Sequence, residues 1–171
     1  TSTATVKAIQ FLDNGAPITL ALGAGAVLTV SGNIVANGAG ASSRLNNNIL
    51  VTDAGAVLTI GGSLELTGGA NNNISLQLNA GTVSVAGDIT QGNAGSITLD
   101  AGTLKIGGDY YGAGFAASTG STVNYMGTGS QVIAAVEYYN LEVSKASGVA
   151  TLTAQDALTI KGNLSMTGSG E

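Results

Sequence analysis

The sequence contains no cysteine, no histidine and no tryptophan, and it has a single proline among 171 residues. Without histidine and cysteine, the chain cannot build a zinc finger, a haem site, an iron–sulfur cluster, a cysteine–histidine nucleophile pair or a disulfide framework. Aromatic residues make up 4% of the chain and charged residues 9%. We therefore expect no cofactor and no resident metal.

Positive charge is also scarce, with five Lys and Arg residues against ten Asp and Glu residues and a net charge of −5 at pH 7. Nucleic acid is bound by clustered positive surface, so it is not an expected partner. No apolar run reaches the roughly 18 residues of a membrane helix, and no membrane insertion is expected. The first residues do not form a basic region followed by an apolar run. We expect that a signal peptide has been removed or that the chain is a piece of a longer protein.

Glycine, by contrast, is abundant, with 27 residues, and it marks an internal repeat. A seven-residue phrase alternates apolar, polar, apolar, any residue, Gly, polar and apolar, and its first copy is LTVSGNI. Period-two alternation predicts short strands, and glycine is too frequent for helix interiors. The apolar residues predicted to form the structural core are Leu28, Val30, Leu58, Ile60, Val83, Val85, Leu104, Ile106, Leu158 and Ile160. The predicted corner glycines are Gly32, Gly62, Gly87, Gly108 and Gly162.

Such short strands bury their apolar face only when successive repeats stack on one another. The predicted fold is therefore all-β, a parallel β-solenoid (β-helix) of about six to seven short coils in one domain, residues 1–171. Residues 1–17 are predicted to be an N-terminal cap or docking strand, residues 18–118 regular coils, and residues 119–171 longer, variant coils. The competing fold is an antiparallel β-sandwich, which would use hairpin turns between strands of equal length.

Acidic residues recur at turns. Asp53 and Asp100 open D-A-G turn phrases, and Asp88 and Asp109 follow corner glycines. Capping of the turns is their predicted role. Calcium is the alternative, because carboxylate and amide oxygens at corners suit a hard cation. The G-G-x-G-x-D-x pattern of calcium-loaded β-rolls is absent from the sequence.

The outward position of the phrase bears on catalysis. A glycosidase or lyase on a β-helix would need a carboxylate pair, or a carboxylate with basic groups, on one outer face. The predicted outward row has no carboxylate, so no catalytic residue and no enzymatic activity are expected. An ice-binding face would need a regular double threonine column, which is also missing, and the threonines are interpreted as strand formers on a solvated face. The row consists of Thr29, Thr59, Ser84, Lys105, Asn124 and Thr159.

A second motif lies in the C-terminal part of the chain. Residues 123–133 read VNYMGTGSQVI, residues 138–144 read YYNLEVS, and residues 158–164 read LTIKGNL. These segments resemble the V-x-Y-x-G-x-G-x-Q-x-I … Y-Y-N-L-x-x-S … L-x-h-x-G-N-L repeat of very large secreted surface proteins of Bacteroidota and related bacteria. The upstream phrases resemble, more loosely, filamentous-haemagglutinin-type adhesins. The resemblance implies export to the bacterial cell surface or the extracellular space, and an adhesive or scaffold role.

The predicted function is that of an extracellular structural protein, a building block of a bacterial surface fibre or filament. Its expected partner is a second copy stacked head-to-tail, or the continuation of a longer parent chain, because the end strand of a solenoid is an unpaired edge. The alternative is an adhesin module whose outer face binds glycan or a host or cell-surface protein. Exposed tyrosines suit such contacts, although filling of the core where the coil widens is the other interpretation. The candidate contact residues are Tyr110, Tyr111, Tyr138 and Tyr139.

Overall fold

The computed structural model of the protein describes residues 1–12, 16–36, 45–69, 72–134, 136–145, 152–154 and 157–168. Within these ranges all regular secondary structure is β-strand, and every strand pairing is parallel. The strands are short because turns and glycine corners interrupt the period-two alternation every few residues. The predicted all-β parallel solenoid is confirmed.

The described strands form seven three-stranded coils and the first strand of an eighth. In coils one to four the strands are β1 (Thr3–Val6), β2 (Ile9–Gln10), β3 (Thr19–Leu22), β4 (Val27–Val30), β5 (Ile34–Ala36), β6 (Leu45–Val51), β7 (Val57–Ile60), β8 (Leu64–Leu66), β9 (Asn72–Leu78), β10 (Thr82–Val85), β11 (Ile89–Gln91) and β12 (Gly95–Leu99). In coils five to eight they are β13 (Thr103–Ile106), β14 (Tyr110–Tyr111), β15 (Ala116–Ala117), β16 (Thr122–Tyr125), β17 (Gln131–Ile133), β18 (Glu137–Tyr138), β19 (Asn140–Lys145), β20 (Leu152–Ala154), β21 (Thr159–Ile160) and β22 (Leu164–Gly168).

Three sheets run along the solenoid. The first sheet is continuous over all eight coils, in the order β1-β4-β7-β10-β13-β16-β19-β22. The second sheet (β2-β5-β8-β11-β14) and the third sheet (β3-β6-β9-β12-β15) cover coils one to five. In coils six and seven, two separate pairs replace them, β17 with β20 and β18 with β21. The interruption lies after residue 117, where the sequence changes from regular to variant coils. Within the stretch 1–17, predicted as a cap or docking strand, residues 1–12 contribute β1 and β2, the first two strands of coil one.

Two inward columns of the first sheet form the centre of the core. Strand registers align the predicted residues coil by coil, and the seven core candidates from Val30 to Ile106 in coils two to five are fully buried. Leu28 is only half-buried, because its neighbour in the end coil is the small, exposed Ala4. The first inward column is Ala4, Leu28, Leu58, Val83, Leu104, Val123, Leu141 and Leu164. The second is Val6, Val30, Ile60, Val85, Ile106, Tyr125, Val143 and Met166.

The last copy of the phrase does not join these columns. Ile160 pairs with Tyr138, and only Leu164 reaches the first sheet, opposite Leu141. The phrase therefore spans the corner before the first sheet, whereas the earlier copies span the corner after it. The core prediction is wrong for Leu158, which is 37% exposed, and Ile160 is half-buried at the edge of the core.

The corner glycines stack because no side chain fits between coils. The amide of Gly87 donates to the carbonyl of Gly62, and that of Gly108 to Gly87, at 2.9 and 3.0 Å. A Cβ on Gly87 would lie 3.0 Å from the carbonyl carbon of Gly62, and one on Gly32 would lie 2.9 Å from the Lys7 carbonyl oxygen. Gly162 packs in the same way but at the other corner, with its amide 2.7 Å from the Tyr139 carbonyl. Close backbone approach is thus the reason for glycine at these corners.

Candidate functional sites

Two of the four candidate contact tyrosines lie in the core. Tyr110 and Tyr138 are buried, and each packs edge-to-face against Phe115 with ring centroids 5.2 Å apart. The prediction of a partner contact is wrong for both, because Tyr110 continues an inward column of the second sheet and Tyr138, on β18 of coil six, pairs with Ile160 and is fully buried. Tyr111 is exposed and Tyr139 is half-buried, so only these two can reach a partner.

The tyrosine hydroxyls of coil six form a closed hydrogen-bonded network. The Tyr125 and Tyr138 hydroxyl oxygens lie 3.0 Å apart, the Tyr138 hydroxyl donates to the Ala134 carbonyl at 3.1 Å, and the Ala134 amide donates to the Tyr125 oxygen at 3.4 Å. Burial raises the pKa of Tyr125 above its ordinary value of 10.0, and it raises the pKa of Tyr138 as well. These hydroxyls stay protonated at neutral pH and link β16, β18 and the Ala134 backbone within coil six.

Gln131 replaces backbone pairing where the second sheet is interrupted. This side chain is 3% exposed. Its amide nitrogen donates to the carbonyls of Gly108 at 2.5 Å and Ile106 at 3.2 Å, and its oxygen accepts from the Gly127 amide at 2.8 Å and from Lys145 Nζ at 2.6 Å. The V-x-Y-x-G-x-G-x-Q-x-I motif includes this glutamine, but the sequence assigned it no role. The signal was a polar residue two positions before an inward Ile133, in a segment that otherwise alternates.

Lys145, the cation of this cluster, has a shifted pKa. Desolvation lowers the pKa of Lys145, while the charge of Asp109 counteracts the shift. The ammonium group also donates to the Gly129 carbonyl at 3.1 Å. Lys145 therefore closes the Gln131 site from the solvent side, and its acceptors Gly129 and Gln131 both belong to coil six.

The polar residue after each corner glycine links one coil to the next. Its side-chain oxygen accepts a hydrogen bond from the backbone amide of the following coil. The four bonds run from Ser63 N to Asn33 Oδ1 (2.9 Å), Asp88 N to Ser63 Oγ (3.2 Å), Asp109 N to Asp88 Oδ1 (2.8 Å) and Val132 N to Asp109 Oδ1 (2.8 Å). We call this the corner ladder. Asn, Ser and Asp all act as the acceptor, so the corner ladder requires a short side chain with an acceptor oxygen but does not require a charged one.

The turn carboxylates have a similar structural role. Asp53 Oδ1 accepts from the Gly55 amide at 2.9 Å and from the Gly25 amide of the coil before at 3.1 Å. Asp100 is exposed at the equivalent turn. Within the described ranges, no three acidic side chains converge in a way that could hold a metal ion. Asp53 therefore caps its turn, as predicted, and ties it to the coil before.

The outward column of the first sheet differs from the predicted row at its C-terminal end. Glu142, rather than Thr159, follows Asn124, because Thr159 belongs to β21 and pairs with Glu137. The expectation of a row without carboxylate was wrong to this extent. Ser144 Oγ donates to Asn124 Oδ1 at 2.8 Å beside it. The observed column is Thr5, Thr29, Thr59, Ser84, Lys105, Asn124, Glu142 and Ser165.

The two poles of the first sheet carry edge strands of different character. At one pole, β22 presents Leu164 at 56% and Met166 at 72% exposure, although their column neighbours Leu141 and Val143 are buried. At the other pole, every residue of β1 is exposed. The inward columns therefore reach the surface at both ends of the sheet.

No family model matches this chain, and neither the curated proteins nor the solved structures include a match. Among the described residues there is no apolar helix of membrane-spanning length. The functional argument therefore depends on the surfaces of the solenoid itself.

Proposed function

We propose that the chain is a structural building block of an extracellular fibre, in which the β22 pole of one subunit stacks on the β1 pole of the next. The resemblance noted in the sequence supports placement at a bacterial cell surface. The observation that carries the proposal is the exposure of Leu164 and Met166 at the end of otherwise buried columns.

Stacking would continue both columns without a change of register. Successive coils within the chain pair through parallel strands in the same register. A subunit boundary with this geometry would place Leu164 opposite Ala4 and Met166 opposite Val6. The large Leu164 would meet the small Ala4, which leaves Leu28 uncovered in the isolated chain. Fully burying a Leu or Met side chain stabilises by about 1.5–3 kcal/mol.

The backbone of β22 supports the same contact. The Leu141 amide donates to the Asn163 carbonyl at 2.9 Å, so residue 163 faces β19. Alternate residues of a parallel strand direct their amide groups to opposite neighbours, and the amide groups of Leu164 and Met166 therefore face away from the chain. A head-to-tail contact of this kind does not close on itself and propagates as a fibre.

The test compares two lysine substitutions on one strand. Met166→Lys places a charge in the column that stacking would bury, whereas Ser165→Lys places the same charge in the outward column of the same strand. Both side chains are exposed in the isolated subunit, so both variants should fold. We expect the wild type and Ser165→Lys to form filaments in negative-stain images and fast-sedimenting species, and Met166→Lys to remain monomeric.

A wild-type chain that stays monomeric at the highest concentrations reached would overturn the proposal. Filaments of equal length from wild type and Met166→Lys would overturn the assigned pole, since a buried unpaired charge costs several kcal/mol. A module that binds through its outer face, the adhesin alternative, would then be the better explanation of the fold.

A further inference from the structure

The third sheet differs from the other two in having no charged residue in any of its five strands. The outward column of the first sheet includes Lys105 and Glu142, and that of the second sheet includes Glu65. The outer face of the third sheet instead carries neutral amides and hydroxyls, together with the apolar Ala21 and Leu50. Solvation alone does not require this difference, because charged side chains suit any exposed strand.

These neutral groups line a groove of about 340 Å³ across three coils. A second depression of about 490 Å³ shares Asn73 and extends the groove past Asn93 at the corner before the sheet. We call the two together the amide groove. Its main polar residues are Asn46, Asn48, Asn73, Ser75, Gln77 and Ser96.

The side chains of the groove hold one another in position without using all their hydrogen-bonding capacity. Asn73 Nδ2 donates to Asn46 Oδ1 at 3.2 Å, and Ser75 Oγ donates to Asn48 Oδ1 at 2.5 Å. Gln77 Nε2 lies 3.5 Å from Ser75 Oγ. A primary amide offers two donors and one acceptor oxygen with two lone pairs. Donors and acceptors therefore remain on the open side of the groove, spaced by about 4.8 Å from coil to coil.

We propose that the amide groove binds a neutral oligosaccharide. Sugar hydroxyls act as donor and acceptor at once, as do the amides and hydroxyls that line the groove. Among the groove residues that the structure describes, none is a cation that would select a phosphate or sulfate. The groove lies on paired strands of the continuous part of the sheet, so its groups are held by a rigid support.

The experiment titrates isotope-labelled protein with four neutral probes, maltohexaose, cellohexaose, mannohexaose and chitohexaose, and with a heparin hexasaccharide as the charged comparison. Side-chain amide signals of Asn46, Asn73 and Gln77 report directly on the groove. At millimolar concentration, we expect at least one neutral probe to shift these signals and the heparin fragment to leave them unchanged. The Asn73→Ala/Gln77→Ala double variant should bind that probe at least about tenfold more weakly.

The matched control is Thr59→Ala/Ser84→Ala, which removes two polar groups from the outward column of the first sheet. It should bind like the wild type, and thermal melts should show that both double variants remain folded. The proposal fails if no neutral probe shifts the groove signals, if shifts map to another face, if heparin binds in their place, or if the groove variant binds as well as the control. The titration is run in the Met166→Lys background, which the fibre proposal expects to be monomeric and which leaves the groove unchanged, so its failure leaves the fibre proposal untouched.

Discussion

Replacement of Gln131 by Leu is predicted to be among the most costly single changes in the chain. The substitution keeps a buried side chain of similar size but removes four hydrogen bonds. The Ile106 carbonyl keeps a second partner, the Met126 amide at 2.9 Å. The Gly108 carbonyl and the Gly127 amide each lose their hydrogen bond to the Gln131 side chain.

The magnitude follows from these two backbone groups. Each buried group left unpaired costs about 1–3 kcal/mol, and the added apolar burial of Leu offsets about 1 kcal/mol. We therefore expect Gln131→Leu to lower the free energy of unfolding by about 1–5 kcal/mol. The matched control is Gln77→Leu on the open face of the third sheet, which should change stability by less than about 0.5 kcal/mol.

The assay is urea denaturation followed by far-UV circular dichroism, together with amide hydrogen exchange at Gly127 in the folded protein. The variant should unfold at lower urea, and its Gly127 amide should exchange faster, because that amide loses its acceptor. Equal urea midpoints for Gln131→Leu and Gln77→Leu would refute the reasoning, as would an unchanged exchange rate at Gly127.

Two further predictions concern the corners and the tyrosines. Gly87→Val should destabilise by about 1–3 kcal/mol, because its Cβ would lie 2.7 Å from Ser63 Oγ and 3.0 Å from the Gly62 carbonyl, whereas Thr59→Val on the outward column should be nearly neutral in thermal melts. Equal melting temperatures would count against the corner geometry. Stability should fall as pH rises above 10, the ordinary tyrosine pKa, because the unfolded chain then releases protons that Tyr125 and Tyr138 retain in the fold. The Tyr125→Phe/Tyr138→Phe variant should lose less stability between pH 9 and 11 than the wild type does, and an identical pH profile would disprove this cause.

The regular coils could be predicted because aligning the copies of the phrase in the sequence also gives the residues that pair between neighbouring coils. Leu58 and Ile60 align with Val83 and Val85 in the structure as they do in the sequence. The last copy misled because an apolar-x-Gly-Asn-apolar segment fits either corner of the first sheet. Which corner it takes depends on the length of the coil before it, and that length is set by the variant segment rather than by the phrase.

Whether a tyrosine points into the core or outward could be predicted in part from the sequence. Tyr110 occupies the final apolar position of its phrase and so points inward, and Tyr111, one residue later, points outward. Glu142 could have been placed in the same way, since it lies between the apolar Leu141 and Val143. The role of Gln131 could not be predicted, because its partners are backbone groups that become unpaired only when the second sheet is interrupted.

The interruption between coils five and six has a mechanical consequence. Hydrogen bonds between parallel coils run along the solenoid axis, so a pull applied at the two poles loads the coils in series. Among the described residues, the first sheet alone crosses this joint with its backbone, while Gln131 and Asp109 provide the side-chain links on the second side. Among the joints between three-stranded coils, tension should therefore open this one first and leave a five-coil segment intact. Such a joint would act as a force-limiting link that yields and re-forms while the coils on either side stay folded.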